Sequence, residues 1–79
     1  MSLTTNLEQD FLVKQNFHRR VVPYREDRVV IFWHDKWQFG ACLRGGDWYH
    51  VPDLNIPLVF HRISFIELCA MIDCRKILE

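Results

Sequence analysis

The stretch RVVIFWHDKWQFGACLRGGDWYHV, Arg28 to Val51, decides how this chain folds. In its first third Val29, Ile31 and Trp33 fall on one side of an extended chain and Val30 and Phe32 on the other. A strand apolar on both sides belongs in the middle of a sheet covered twice. Asp35-Lys36 reads as a tight turn. Trp37, Phe39, Ala41 and Leu43 then alternate with Gln38, Gly40, Cys42 and Arg44, a second strand with one greasy face and one small, partly polar face. Gly45-Gly46 tolerates the positive φ angles of a two-residue hairpin, so Asp47 to Val51 returns antiparallel to it. The three strands form a meander.

The same segment holds six of the chain's eleven aromatic residues, Phe32, Trp33, Trp37, Phe39, Trp48 and Tyr49. Each large ring buries about 150–250 Å², so the segment is either core or an adhesive surface. Strand alternation assigns Trp33, Trp37 and Phe39 to the core. Phe32, Trp48 and Tyr49 are left as candidates for a partner-binding surface.

Outward from the meander, Thr5-Asn6-Leu7-Glu8 has the S/T-x-x-E form of a capping box, opening a helix from about Asn6 to Gln15 that packs through Leu7, Phe11, Leu12 and, at its margin, Val13. Asn16 to Arg20 ends it in a polar, basic stretch. Val21 to Tyr24 is β-prone, but Pro23 lacks an amide hydrogen and suits only an edge. Pro52, Asn55 and Pro57 punctuate a loop, and Leu58 to Ile63 is a further strand or the approach to a helix. Ser64-Phe65-Ile66-Glu67 is a second capping box, starting a helix that runs to about Leu78. Its main stripe is Phe65, Leu68, Met71, Ile72 and Leu78. Ile66, Ala70 and Ile77 lie on the opposite side, so either the N-terminal helix covers them or they form a self-association face.

Seventy-nine residues make a single small domain, and a chain of this size buries only roughly 60% of the surface its unfolded form exposes. Oligomerisation is one remedy for such marginal stability. Cys42, Cys69 and Cys74 are an odd number with no C-x-x-C pair, which indicates neither a disulfide framework nor a zinc module. Ten basic and ten acidic residues give a formal charge of zero, and no global field draws the chain to nucleic acid or membrane. No apolar run approaches the ~20 residues of a membrane span. The expected setting is reducing and cytoplasmic, and no cofactor is implied.

Of the residue types that carry chemistry, the four histidines show no i, i+4 or H-x-H spacing for a metal. Cys42 would need a base such as His34 or His50 across the ladders to act as a nucleophile. Cys69 and Cys74, about 140° apart around a helix, are badly placed to bridge each other. Arg19, Arg20, Arg25, Arg28 and Arg44, beside Tyr24 or Trp48, are candidates for an anion-binding surface.

The run Gly46-Asp47-Trp48-Tyr49 resembles the aromatic pair after the n-Src loop of SH3 domains, which dock proline-rich peptides, but no acidic ligand loop or ALYDY-type motif precedes it. Lys36 to Leu43 resembles the RNA-binding strand of RRM domains, without their Gly-aromatic-Gly-aromatic order. Neither likeness exceeds about ten residues, and no family follows. The expected fold is α+β: an N-terminal helix, an antiparallel meander of three to five strands, and a C-terminal helix packed on it. A small SH3-like barrel flanked by helices is the alternative. The expected function is non-enzymatic, a small interaction protein that dimerises or binds a protein partner; the rival is a nucleic-acid or anionic-ligand binder.

Overall fold

The computed structural model describes residues 3–79, with side chains from residue 6 onward. Helix α1 (Leu3–Lys14) leads into strands β1 (His18–Tyr24), β2 (Asp27–His34), β3 (Phe39–Arg44), β4 (Asp47–Val51) and β5 (His61–Ile63), and helix α2 (Phe65–Leu78) closes the chain. The strands form one antiparallel sheet in the order β1-β2-β3-β4-β5. This is the expected α+β meander in its five-stranded form. The sheet is not closed, because β1 and β5 are edges, so the barrel alternative falls. No helix among the described residues is long and apolar enough to cross a membrane.

Local chemistry accounts for most of the element ends. Gly45 and Gly46 take φ of 57° and 85° in the β3–β4 turn, between the paired residues Arg44 and Asp47. At the start of α2 the Glu67 amide donates to Ser64 Oγ at 3.1 Å and the Ser64 amide to Glu67 Oε1 at 3.0 Å, a complete capping box. Those hydrogen bonds to Ser64 hold the Glu67 carboxyl below its usual range. The capping box expected at Thr5 falls on a side chain outside those described, and the backbone is already helical from Leu3. Pro23 sits on an edge strand, where its missing amide hydrogen leaves the interior ladder intact.

Three boundaries differ from the sequence reading. Helix α1 ends in a Schellman motif: Asn16 takes φ 72°, its amide donates to the Val13 carbonyl at 3.0 Å, and the Phe17 amide donates to the Leu12 carbonyl at 3.1 Å. This sharp stop starts β1 at His18, three residues earlier than Val21, and drives Phe17 into the core. Residues 35–38 form a four-residue turn, with Gln38 at φ 57° and its amide on the His34 carbonyl at 2.8 Å. Trp37 therefore belongs to the turn and not to β3. Leu58 to Phe60 stays irregular, and only His61–Ile63 pairs with β4.

Each face of the sheet carries its own apolar cluster. On one face Phe32, Phe39, Ala41 and Trp48 pack with Phe17 and with Leu12, Leu68 and Ile72 of the helices. On the other Ile31, Trp33, Cys42 and Val51 are closed over by Leu58, with Leu54 and Phe60 partly buried beside it. Both helices thus lie on one side, and the loop after β4 covers the opposite one. Helix α1 turns Phe11, Leu12 and Glu8 inward and leaves Leu7 and Val13 exposed, contrary to the expected stripe. Glu8 faces in because its Oε1 accepts the Trp48 indole N–H at 3.1 Å. Leu78, expected in the main stripe of α2, is exposed in its last turn.

Close approach on the loop face depends on Gly40, which pairs with Trp33 across β2 and β3. A Cβ there would stand 2.7 Å from the Phe32 carbonyl oxygen and 2.8 Å from the Trp33 ring. The backbone oxygen has no room to retreat. Gly40→Ala is expected to destabilise the fold by about 1–3 kcal/mol through overpacking, read as a lower urea midpoint.

His34 is the one buried polar or charged residue among those described. Its Nδ1 accepts the Trp37 amide N–H at 3.1 Å, and its ring stacks on the Trp37 indole at 3.8 Å. An accepting Nδ1 is an unprotonated one. Burial pushes the His34 pKa below its ordinary value, against weaker raising effects from the Gln15 backbone, Glu79 and Asp35. His50 is lowered too, by burial and then by His61 and Arg75. Unfolding restores both to about 6.5, so below that pH the unfolded chain binds more protons than the folded one. Their stabilisation is complete above about pH 6.5 and is lost as pH falls through the lower folded values, at no more than about 1.4 kcal/mol per pH unit for each histidine. Urea midpoints across this range check the trend, and His34→Asn, which keeps an acceptor but does not titrate, is expected to flatten it.

Candidate functional site

Among the described residues, the outer side of α2 carries the three most exposed large apolar side chains, Ile77, Ile66 and Leu78. Ile66 and Ile77 are 82% and 83% exposed, Ala70 is exposed between them, and Leu78 adds to one end. Helix α1 does not cover this side; it packs through Phe11 on Phe65, ring centroids 5.9 Å apart, on the sheet-facing flank of α2. Of the two accounts the sequence leaves open for the second stripe, coverage by α1 is therefore excluded. Residues 66, 70, 73 and 77 lie within about 60° of one another around a helix of 3.6 residues per turn. Their 4-3-4 spacing is that of a heptad seam.

The aromatic candidates fare differently. Phe32 and Trp48 are 3% and 4% exposed, so a role on a partner surface is corrected for both. They meet each other at 6.0 Å beneath α1 and α2, and Trp48 also meets Phe65 at 5.8 Å. Both helices land on this face, and strand alternation alone does not say which face that is. Tyr49 points to the loop side, half-buried, edge-on to Phe60 at 6.3 Å.

The five candidate arginines divide between the two ends of the sheet. Arg20 is paired with Asp35 at 2.9 Å, and Arg19 lies over the Phe32 ring with its Nη2 at 3.5 Å from Gln9 Oε1. At the other end Arg25 lies 5.2 Å and Arg44 5.1 Å from the centre of the Tyr24 ring, and Arg44 also covers Phe60 at 5.6 Å. Arg28 lines the same corner. Tyr24 is thus the ring the arginines gather on, and Trp48 is not.

The chemistry-bearing side chains do not converge. Cys42 is buried on the loop face, where burial pushes its thiol up against a weaker opposing pull from Arg44, so it is a thiol at neutral pH. His34 and His50 contact Phe39 or its neighbours on the helix face, across the sheet from it. A base within hydrogen-bond reach is what nucleophilic catalysis requires, and neither imidazole is placed to serve. The register pairs His50 with His61, rings 6.2 Å apart. Among the described residues no three His, Cys, Asp or Glu side chains gather closely enough to hold a metal. Cys69 and Cys74 are free thiols, one half-buried and one exposed. Three lysines, Lys14, Lys36 and Lys76, line a recess beside Trp37, but a carboxylate already sits there: Glu79 Oε1 is 2.9 Å from both Lys36 Nζ and Trp37 Nε1.

No family model, curated protein or solved structure matches this chain.

Proposed function

We propose that the protein is a small non-enzymatic interaction module that works by self-association through the outer side of α2. The observation that carries this reading is the uncovered apolar stripe Ile66, Ala70 and Ile77 on a helix whose opposite side is already seated in the core. A two-fold interface requires the same patch to be complementary to itself. The stripe meets that condition in the antiparallel sense. With the axis midway along the seam, Ile66 of one copy faces Ile77 of the other and Ala70 faces Asp73, and the exchanged pairs are identical. The small Ala70 lets two helix axes approach closely at the centre, while the isoleucines close the ends.

Area limits the strength. A 14-residue helix is about 21 Å long, and one such seam buries less than the about 1,200 Å² at the lower bound of stable interfaces. The expected dimer is weak, with Kd on the order of 100 μM.

Asp73 supplies the discriminating test, because it is the one polar residue in the seam. Asp73→Leu is expected to tighten the dimer by about tenfold or more, and Ile66→Asp or Ile77→Asp to abolish it, with far-UV circular dichroism unchanged. Sedimentation equilibrium from about 10 μM to about 1 mM reads each variant. A strict monomer throughout that range for both the natural chain and Asp73→Leu defeats the self-association reading.

A further inference from the structure

Arg25 and Arg44 stand together where the β1–β2 and β3–β4 turns end the sheet, with Arg28 at the same end on the opposite face, and among the described residues none of the three has a carboxylate within salt-bridge distance. This sets them apart. Arg20, Arg62 and Lys36 each hold a carboxylate, at 2.9, 3.3 and 2.9 Å. Glu26 and Asp27 are the acids nearest in sequence, but neither pairs with these guanidinium groups, and Asp27 has its Oδ1 on the Arg28 amide at 2.8 Å. Two of the three guanidinium groups are held against rings: Arg25 and Arg44 on Tyr24, and Arg44 also on Phe60, with Tyr24 and Phe60 edge-to-face at 5.1 Å and 90°. A guanidinium supported by an aromatic surface keeps its N–H donors free for an acceptor.

The backbone supplies an independent observation. Arg25 sits at φ 57° in the two-residue turn between Tyr24 and Asp27. A glycine would hold that conformation without penalty, and an arginine does not. Strain of this kind clusters at functional sites. Beside Arg25 a recess of about 260 Å³ is walled by Pro23, Tyr24, Ile56, Pro57 and Leu58, and a second of about 370 Å³ on the other flank of Tyr24 is reached by Arg28 and Arg44.

We infer that this corner binds a phosphate ester. The phosphate oxygens accept from the Arg25 and Arg44 donors, with Arg28 adding charge, and the organic group lies in the apolar recess against Tyr24 and Pro57. Bidentate acceptance by phosphate suits a guanidinium better than any other cation. A free nucleotide and a single-stranded nucleic acid present the same group. The inference stands apart from the α2 seam and does not depend on self-association.

The test uses the full chain at low salt, observing arginine Nε–Hε and Tyr24 resonances while titrating inorganic phosphate, AMP and an oligothymidylate of about eight nucleotides. AMP is expected to shift Arg25, Arg44 and Tyr24 with a Kd of about 1 mM or below, about tenfold tighter than inorganic phosphate. An oligonucleotide that binds about tenfold tighter still, with a steep salt dependence, identifies a nucleic-acid strand as the source; equal affinity identifies a small phosphate ester. Arg44→Ala is expected to weaken AMP about tenfold, and Arg62→Ala, which removes an already paired cation, to leave it unchanged. Arg25→Gly is expected to raise the thermal midpoint while weakening AMP. Absence of shifts at about 10 mM AMP, or an Arg25→Gly variant that binds as well as the natural chain, overturns the inference.

Discussion

The constraint on which the structure depends is a sheet apolar on both faces with, among the described residues, only two helices, both on the same side. Val29, Ile31 and Trp33 leave one face of β2 and Phe32 and His34 the other, and neither set tolerates water. Helices α1 and α2 cover the Phe32 side. The opposite side falls to the segment between β4 and β5, whose Leu54, Leu58 and Phe60 do the work a third helix would otherwise do. That segment is spent on covering, so β5 pairs over only three residues. Close packing on this face also accounts for Gly40: the Phe32 carbonyl and the Trp33 ring crowd the place where a Cβ would stand, and only a residue without one leaves room.

Burying so much aromatic surface brings polar atoms inside with it, and each has a partner drawn from a different element. The Trp48 indole N–H reaches Glu8 of α1, His34 receives the Trp37 amide, and the Trp37 indole N–H reaches Glu79 after α2. Among the described residues no buried side-chain nitrogen or oxygen lacks a hydrogen bond. These links are directional, whereas apolar contact is not. The part-buried Trp48–Glu8 bond fixes where α1 sits along the sheet, because a shift of that helix would leave the indole donor without its carboxylate, while the Trp37–Glu79 bond is exposed to solvent.

Much of this was legible in the sequence where the signal was local. The two-sided strand Val29–His34, the Gly45-Gly46 hairpin, the Ser64 capping box and the excess apolar side of α2 all follow from spacing within a few residues. The misreadings share a cause. Trp37-Gln38-Phe39 continues a perfect alternation, and only the positive φ of Gln38 removes Trp37 from the strand. Phe17 lies in a stretch that reads as a polar exit, although Asn16 followed by a large apolar residue is the pattern of a Schellman stop. Glu8 reads as surface until Trp48 is known to need its oxygen. The burial of Phe32 and Trp48 depends on which face the helices choose, and the gathering of Arg25 and Arg44 on Tyr24 depends on strand register; neither is a local property. Ile66, Ala70 and Ile77 were readable because helical periodicity places them without reference to anything else.

The three tryptophans end up in three separate layers. Trp33 lies under the loop, Trp48 under the two helices, and Trp37 against His34 at the margin where β2 turns into β3. Single-tryptophan versions of the chain would therefore watch each layer come apart by itself. Coincident unfolding curves would mean that the thin loop cover and the helical cover form one cooperative unit. Separated curves would mean that the loop side opens first, as a local excursion that the bulk of the fold survives.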